Sequence, residues 1–304
     1  MNNPLLSIAI PTFNRKDCLK ECLESILSQF SDQNISNLVE VVISDNASTD
    51  GTEQIIEEYK KKYQQITYKK NPVNFGVDKN ILQVAAMSAG KYVWFLGDDD
   101  ALFSDALLTV LNILKTEKAD YLIVNCWGYD KSLTDKAVNK PNILISENQY
   151  YASLKDYVVK APHNNSLVGM FCGLSMQIFL KVPWERLANK DRFIGTNAVH
   201  MHSLMLAMKN RKFGLIAKPC VKVRADNIRW EVFEGLENAK KRALLTQQAL
   251  VWILNEYSIR YSKLRLRIIY LNGIIFDELR LVLRKYILTN QKSRDMLKKI
   301  LGKL

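Results

Sequence analysis

The chain has 304 residues, of which 48% are apolar and 24% charged, and its formal net charge at pH 7 is +12. This composition is typical of a folded globular protein, and the 12 glycines and 7 prolines follow no repeat, which excludes collagen-like and mucin-like chains. We find no signal peptide and no run of about 18 apolar residues, so we expect a cytoplasmic protein without a membrane-spanning helix.

Short β-rich apolar segments alternate with amphipathic segments through the first 127 residues. The predicted strands are residues 5–10, 39–44, 66–70, 91–96 and 120–126. The predicted helices are residues 16–29, 52–63, 77–89 and 105–115, and Gly90 would end the third of them as a C′ glycine. This alternation predicts an α/β fold with a mostly parallel sheet and helices on both faces.

The rest of the chain divides into a less regular part and a basic tail. Further strands are predicted at residues 170–179, 213–217 and 220–223. From residue 236 onward the chain has 15 Lys and Arg against 5 Asp and Glu, and apolar residues recur at helical spacing. We therefore predict one domain over residues 1–234, with halves 1–127 and 128–234, and a basic amphipathic helical region over 235–304. That region either packs on the domain or contacts an anionic membrane surface, with nucleic acid as a third alternative.

Polar residues follow each of the first four predicted strands. They are residues 11–15, 45–52, 71–76 and 97–100. In a parallel α/β sheet, ligands bind beyond the carboxyl ends of the strands, so these four segments predict one site along a single sheet edge.

Three consecutive carboxylates, those of Asp98, Asp99 and Asp100, come directly after the fourth predicted strand. Like charges this close repel one another and raise each other's pKa, and a bound divalent cation would remove that cost. Carboxylate oxygens suit Mg²⁺ or Mn²⁺, which would also bridge the diphosphate of a substrate. A solvated acidic turn at the start of the next helix is the alternative interpretation.

The ordered segments SIAIPTFNR, VVISDNASTDGT, NPVNFGVDKN and AGKYVWFLGDDD resemble the family 2 glycosyltransferases, which have the GT-A fold. The resemblance covers residues 7–114 and extends weakly over residues 171–224. It implies a mixed sheet with helices on both faces, a nucleoside-diphosphate sugar donor and a divalent cation as cofactor.

The resemblance also implies roles for individual residues. The residues that would line the nucleotide pocket are Pro11, Thr12, Asn14 and Arg15. Asp45 would hydrogen-bond the base, and Asn74 and Lys79 would approach the diphosphate or the ribose.

In the same resemblance, Asp99 would be the principal metal ligand, Asp98 would lie near the ribose or donor sugar, and Asp100 would support the site. Many members have Asp-x-Asp-Asp here, whereas this chain has Gly97 at the first of those positions. Which of Asp98 and Asp100 assists Asp99 as a ligand therefore stays open.

An inverting transfer needs a general base near the acceptor hydroxyl, and family members usually supply an aspartate preceded by an acid from the second half. The corresponding residues 193–204 contain no acidic pair but two of the three histidines. We predict His200 as the base, with His202 as the alternative. In the same half, Gly173 and Ser175 would help form the acceptor face, and Arg224 or Arg229 would bind phosphate, with a surface loop carrying incidental charges as the alternative.

These expectations combine into one function. The chain is predicted to be a cytoplasmic, metal-dependent, inverting glycosyltransferase that adds one sugar to a glycan or lipid-linked acceptor in bacterial surface polysaccharide or lipopolysaccharide synthesis. Its basic tail would lie against the anionic inner leaflet. The alternatives are a sugar nucleotidyltransferase, for which residues 11–15 lack a glycine-rich phosphate loop, and a nucleic-acid-binding module. The tail's aromatic residues fall mostly on its apolar stripe, so no nucleic acid partner is expected.

Overall fold

The computed structural model describes residues 3–160 and 167–224, together with the isolated positions 248, 252, 253, 256 and 257. The chain divides into two compact units, residues 1–242 and 243–304, and every element below belongs to the first. Apart from the five isolated positions, the basic region predicted over 235–304 lies outside the described residues, as does Arg229. No helix in the described ranges is both long and apolar enough to cross a bilayer.

Residues 6–95 alternate strands and helices as predicted, with one additional short helix at residues 33–36. The elements are β1 (Leu6–Thr12), α1 (Lys16–Leu27), α2 (Gln33–Ser36), β2 (Val39–Asp45), α3 (Thr52–Lys60), β3 (Ile66–Lys70), α4 (Val77–Met87) and β4 (Tyr92–Phe95). Strand β1 pairs in parallel with β2 on one side and β4 on the other, and β2 pairs in parallel with β3. All four strands therefore end at the same edge.

From residue 101 onward the chain adds short elements that the sequence did not predict, among them those at residues 101–102, 149–151, 154–160 and 181–185. The elements of this part are β5 (Ala101–Leu102), α5 (Ala106–Leu114), β6 (Tyr121–Tyr129), β7 (Gln149–Tyr151), α6 (Leu154–Lys160), α7 (Leu167–Cys172), β8 (Gln177–Leu180), α8 (Lys181–Glu185), α9 (Val199–Ala207) and β9 (Phe213–Arg224). Single 3-10 turns occur at Ser28–Ser31, Leu174–Met176 and Lys190–Phe193.

All nine strands described form one mixed sheet in the order β3-β2-β1-β4-β8-β6-β9-β5, with β7 also paired to β9. Strand β8 lies between β4 and β6 and is antiparallel to both. The sheet centre is apolar: Trp94, Phe95 and Phe179 are fully buried, and the rings of Phe95 and Phe179 lie 5.1 Å apart. The predicted α/β class is confirmed. Parallel pairing joins β1 to β4 and β6 to β9, whereas β5, β7 and β8 pair antiparallel with their neighbours, so the sheet is mixed and not mostly parallel.

The strand predicted over residues 170–179 is wrong over most of its length. Helix α7 and a 3-10 turn occupy residues 167–176, and only Gln177 onward is strand. The buried Gln177 side chain bonds to this segment: its Nε2 donates to the carbonyls of Met170, Phe171 and Gly173 at 3.1, 3.2 and 2.9 Å. These bonds satisfy carbonyls at the end of α7, which an apolar periodicity cannot reveal.

The two strands predicted at residues 213–217 and 220–223 are one continuous strand, β9, with a local irregularity. Its register against β6 shifts on either side of Asn125, which lies opposite Pro219. Since proline has no N–H for the ladder, Asn125 replaces the missing pairing by donating from Nδ2 to the carbonyl of Ala217 at 2.7 Å.

Gly90 does not act as a C′ glycine, because α4 ends at Met87 and the positive-φ glycines described are Gly51, Gly76 and Gly195. It is required instead by close approach of the chain to β1. A Cβ at this position would lie 2.6 Å from the Oγ and 2.7 Å from the backbone nitrogen of Ser7.

Candidate active site

The loops after β1, β2 and β3 are held together by backbone hydrogen bonds at the sheet edge. Asn46 N donates to the carbonyl of Thr12 at 2.9 Å, and Asn71 N donates to the carbonyl of Asp45 at 2.8 Å. Asn14, at φ +51°, adds a side-chain link by accepting from Thr49 N at 2.8 Å. The predicted convergence of these loops at one edge is present. Pro11 lies within β1, opposite Ser44, and is buried.

The acidic turn after β4 is tied to the β1 loop through Asp98. Its Oδ2 accepts from Thr12 Oγ1 at 2.7 Å, and its Oδ1 lies 3.2 Å from Arg15 Nη1, which also lies 3.0 Å from Asp99 Oδ2. Burial, and then the charge of Asp99, raise the pKa of Asp98 to about 6. Arg15 was expected in the nucleotide pocket. Its guanidinium compensates part of the negative charge of Asp98 and Asp99, which was predicted to be compensated by a metal cation.

Asp100 is turned toward the other half of the domain. Its Oδ2 accepts from Ser175 Oγ, and its Oδ1 accepts from Arg224 N at 3.1 Å. Ser175 Oγ also accepts from Gly97 N at 2.8 Å, so this buried serine holds both ends of the acidic turn and does not form an exposed acceptor face. Burial, followed by the charge of Asp99, raises the pKa of Asp100 to about 7.

Asp99 differs from its two neighbours in exposure. Its side chain is 22% exposed, whereas that of Asp98 is 7% exposed. Within the described ranges, no three His, Cys, Asp or Glu side chains converge on one point. Asp98 and Asp100 each have hydrogen-bond partners within the protein, and Asp99 has Arg15 as its counter-charge, so the prediction of Asp99 as principal ligand stays a prediction.

Arg224 has a different environment from the phosphate contact predicted for it. Its side chain is 5% exposed and forms an ion pair with Glu21. Its Nε donates to the carbonyl of Asp99 at 2.8 Å, and its Nη1 donates to the carbonyl of Lys131. The guanidinium, at the end of β9, thus holds the backbone of the acidic turn through the carbonyl of Asp99.

Asp45 lies at the end of β2 and is fully buried. Its Oδ1 accepts from Ser48 N at 2.9 Å, and its Oδ2 accepts from Tyr68 Oη at 3.0 Å. Burial and the Asp45 charge raise the pKa of Tyr68, which keeps this phenol protonated as a donor. Tyr68 on the edge strand β3 carried no signal in the sequence, whereas Ser48 belongs to the second polar segment.

A cluster of amide side chains forms hydrogen bonds to the end of β2 and to the loops that follow β2 and β3. Asn80 on α4 accepts from Ser44 Oγ at 2.6 Å and donates from Nδ2 to the carbonyl of Ser44 at 3.0 Å. Gln83, one turn later, donates to Ser44 Oγ at 2.7 Å. At the top of the cluster, Asn74 Oδ1 accepts from Asn46 Nδ2 at 2.6 Å. Lys79, the residue before Asn80, is exposed in the first turn of α4.

Both candidate bases are buried. His200 Nε2 lies 2.9 Å from the carbonyl of Cys172, which can only accept, so Nε2 carries the proton and Nδ1 keeps its lone pair. His202 Nδ1 lies 3.3 Å from Thr196 Oγ1, and its ring stacks on Phe193 at 5.3 Å. His200 Nδ1 and His202 Nε2 have no hydrogen-bond partner among the residues described.

Burial lowers the pKa of His200 to about 4, and burial together with the neighbouring His200 lowers that of His202 to about 3. Both imidazoles are therefore neutral at pH 7. Of the two, His202 is the more enclosed, because its ring is packed against the turn that precedes α9.

The β2 loop stores backbone strain at Ala47, whose φ is +69°. The left-handed region costs an L-residue roughly 1–2 kcal/mol, and glycine avoids this cost. We expect Ala47→Gly to stabilise the domain by about 1 kcal/mol, or roughly 2–4 °C in Tm by thermal denaturation. The control Ala86→Gly, at an exposed position of helix α4, should destabilise it by about 0.5–1 kcal/mol. If both variants lost the same stability, the backbone at Ala47 would not be strained.

A family model described as "Glycosyl transferase family 2" matches residues 7–182. The abequosyltransferase RfbV of Salmonella typhimurium is 32% identical over 266 residues, covering 85% of this chain and 76% of its own. The GalNAc(5)-diNAcBac-PP-undecaprenol beta-1,3-glucosyltransferase of Campylobacter jejuni is 29% identical over 203 residues, covering 64% of this chain and 58% of its own.

Among solved structures, Staphylococcus aureus TarS residues 1–349 in complex with UDP-GlcNAc superpose with a TM-score of 0.63 at 18% identity, covering 88% of this chain and 70% of that one. This likeness confirms the predicted GT-A fold. Since the family model spans more than half of the sequence, the chain belongs to glycosyl transferase family 2 and is a glycosyltransferase.

Proposed function

We propose that the chain transfers one sugar, with inversion, from a nucleoside-diphosphate donor to a glycan or lipid-linked acceptor in bacterial surface polysaccharide or lipopolysaccharide synthesis. The observation that carries the proposal is the link between Thr12, Arg15 and Asp98, which joins the acidic turn to the β1 loop. It places the partly exposed Asp99 at the same edge as the buried Asp45. Family membership rules out the alternatives of a sugar nucleotidyltransferase and a nucleic-acid-binding module.

The donor would lie along this edge. Asp45 at its floor is the group we assign to the base, and the loop residues Asn14 and Asn74 would border the nucleotide. Lys79, exposed in the first turn of α4, is the cation we assign to the diphosphate. The phosphate contact also predicted for Arg224 is not proposed here, because Arg224, like Arg15, already has a carboxylate partner.

A divalent cation, Mn²⁺ or Mg²⁺, fits the acidic turn through Asp99. Mg²⁺-type sites in proteins commonly use one or two carboxylates and complete their shell with substrate phosphates and water. Asp99 is the carboxylate of this turn with exposed surface for this, whereas Asp98 and Asp100 are buried. The cation would neutralise charge on the leaving diphosphate.

For the acceptor side we propose His200 as the general base. Its Nε2 is fixed by the Cys172 carbonyl, so the neutral ring carries its lone pair on Nδ1, a buried atom that the acceptor hydroxyl would have to reach. In the transfer, the acceptor oxygen bonds to the anomeric carbon from the face opposite the diphosphate, and the bond from that carbon to the diphosphate breaks. The hydroxyl proton passes to Nδ1, and the nucleoside diphosphate leaves.

The acceptor class rests on the relatives, one of which is named for a substrate carried on undecaprenyl diphosphate. A lipid-linked acceptor would place the reaction at the cytoplasmic face of a membrane. The basic region from residue 235 would then contact the anionic leaflet. Sedimentation with anionic liposomes tests this contact, and equal binding by a chain truncated after residue 235 would reject it.

The donor proposal is tested by a thermal-shift screen of UDP, CDP, dTDP, GDP and their sugars, with and without Mn²⁺. A ligand that binds the folded state raises Tm in proportion to the logarithm of its concentration over Kd. We expect one base to give a Mn²⁺-dependent shift of several degrees. No shift with any nucleotide would refute the proposal.

The base assignment predicts that His200→Gln reduces transfer by about two to three orders of magnitude while donor affinity is retained. Glutamine keeps an amide donor near the Cys172 carbonyl but has no basic nitrogen. The second arm is His202→Asn, which keeps a polar group toward Thr196. Turnover of radiolabelled donor measures both variants. Loss of transfer in the His202 variant alone would move the base to His202, and full activity in both would exclude the two histidines.

A further inference from the structure

Asp78 is a buried carboxylate in the first turn of α4, and it is 3% exposed. Its Oδ2 accepts from the backbone nitrogens of Gly195 at 2.7 Å and Asn197 at 2.9 Å. Its Oδ1 accepts from Val199 N at 3.2 Å. One side chain of residues 1–127, the half proposed to bind the sugar donor, thus accepts hydrogen bonds from three backbone N–H groups of residues 128–234, the half proposed to bind the acceptor.

The three donors belong to the turn before α9 and to the first residue of that helix. Gly195 and Asn197 adopt φ values of +94° and +55°, a left-handed arrangement that turns successive N–H groups toward one anion. The N-cap residue, Ala198, makes no side-chain cap bond. Asp78 therefore supplies from another helix the negative charge that a helix N-terminus ordinarily takes from its own cap.

Stability alone is a weak reason for this arrangement. Burial raises the pKa of Asp78, and the bonds from Asn197, Val199 and Gly195 oppose that rise. A buried charge with its partners is often no more stabilising than apolar side chains of the same volume. What the carboxylate provides is direction, because three donors at fixed positions define one orientation of the turn.

Two residues later in the same helix, Asn80 forms hydrogen bonds to the ends of β1 and β2, the sheet edge proposed to bind the sugar donor and called the donor edge below. Its Nδ2 donates to the carbonyls of Ser44 at 3.0 Å and Thr12 at 3.4 Å, at the ends of β2 and β1. The first turn of α4 is therefore bonded on one side to the donor loops and on the other to the helix that begins at Val199. His200 is the next residue after Val199.

We propose that Asp78 is a positioning residue that sets the start of α9, and with it His200, relative to the donor edge. This inference rests on the proposed function, in which the base on α9 must meet a donor held by the β1 and β2 loops. Asp78 touches neither donor nor acceptor in this role. It acts through the backbone of residues 195–199.

The test is Asp78→Asn, an isosteric change that leaves one acceptor oxygen and turns an NH₂ group toward backbone N–H groups. Its matched control is Asp156→Asn, the same substitution at a more exposed first-turn aspartate of α6, where the partner is Lys160 at 2.9 Å. Donor affinity is measured with whichever of UDP, CDP, dTDP and GDP gives the largest Mn²⁺-dependent shift. Transfer is measured with the corresponding sugar nucleotide.

For Asp78→Asn we expect kcat for transfer to fall by about 10- to 100-fold, with Kd for the nucleotide within about twofold of wild type. Amide hydrogen exchange of Gly195, Asn197 and Val199 should accelerate, while the control changes none of these quantities. A kcat within twofold of wild type, or equal losses in kcat and nucleotide affinity, would overturn the inference.

If Asp78→Asn does not fold, amide hydrogen exchange of the wild-type protein still tests the role of Asp78. The amides of Gly195, Asn197 and Val199 must be protected in the wild type, and free exchange of all three would overturn it. Absence of transfer by the wild type with every donor would refute the proposed function instead. The exchange measurement would still decide whether Asp78 anchors the turn.

Discussion

Replacing Asp99 with asparagine is expected to lower transfer by about three orders of magnitude, the range seen when one electrostatic contact to a reacting group is lost. Asp99 is the carboxylate of the acidic turn with exposed surface, and its neighbours Asp98 and Asp100 bond to Thr12 and Ser175. Neither neighbour can replace it as a ligand without breaking those bonds. The Mn²⁺-dependent part of the nucleotide-induced Tm shift should disappear in the same variant.

The matched control for this prediction is Asp105→Asn, six residues later. Asp105 is about half exposed and forms an ion pair with Lys218, so its charge can be removed at a cost below about 1 kcal/mol. The control should keep both transfer and the Mn²⁺ response. An unchanged Mn²⁺ response in the Asp99 variant would mean that the cation does not bind through Asp99.

The donor half was predictable because its determinants are local. Alternating strands and helices place the carboxyl ends of parallel strands at one edge, and the polar segments that follow β1, β2, β3 and β4 therefore converge. The bonds Asn46 N to Thr12 O and Asn71 N to Asp45 O are consequences of that topology. No contact in the second half was needed to foresee them.

The partners of the charged groups were not predictable, because they are set by contacts remote in sequence. Arg15 meets Asp98 across 83 residues, and Arg224 meets Glu21 across 203. The acidic turn looked uncompensated in the sequence for this reason, and a cation seemed to be its only counter-charge. The sequence identifies which residues carry charge. The contact of Arg15 with Asp98 follows from the pairing of β1 with β4, whereas the contact of Arg224 with Glu21 depends on how residues 128–234 pack on residues 1–127.

Histidines on a helix show the same limitation. The spacing of His200 and His202 predicts only that they point in different directions. Both are buried, one against the end of α7 and the other against the turn at Phe193. Burial of a neutral imidazole depends on the neighbouring helix and turn, and neither is visible in the periodicity of α9.

Arg224 gives the second large expected effect. Arg224→Ala should lower Tm by several degrees in the absence of any ligand, since it removes a buried guanidinium that bonds Glu21 and the carbonyls of Asp99 and Lys131. Loss of such charged hydrogen bonds costs about 2 kcal/mol, which corresponds to roughly 4–8 °C for a domain of this size. Transfer should fall by about 100-fold, because the turn that carries Asp99 loses its anchor.

Differential scanning fluorimetry separates this anchoring role from direct phosphate binding. A phosphate ligand would leave the ligand-free Tm unchanged and reduce only the shift caused by nucleotide, whereas an anchor lowers the ligand-free Tm first. Arg224→Lys should resemble the alanine variant, because a single ammonium cannot reproduce the fork that reaches three partners. The control Lys218→Ala removes an exposed ion pair on the same strand and should change Tm by no more than about 1–2 °C. If the ligand-free Tm of Arg224→Ala equals that of wild type, the anchoring role is wrong and the phosphate contact predicted from the sequence is the better assignment.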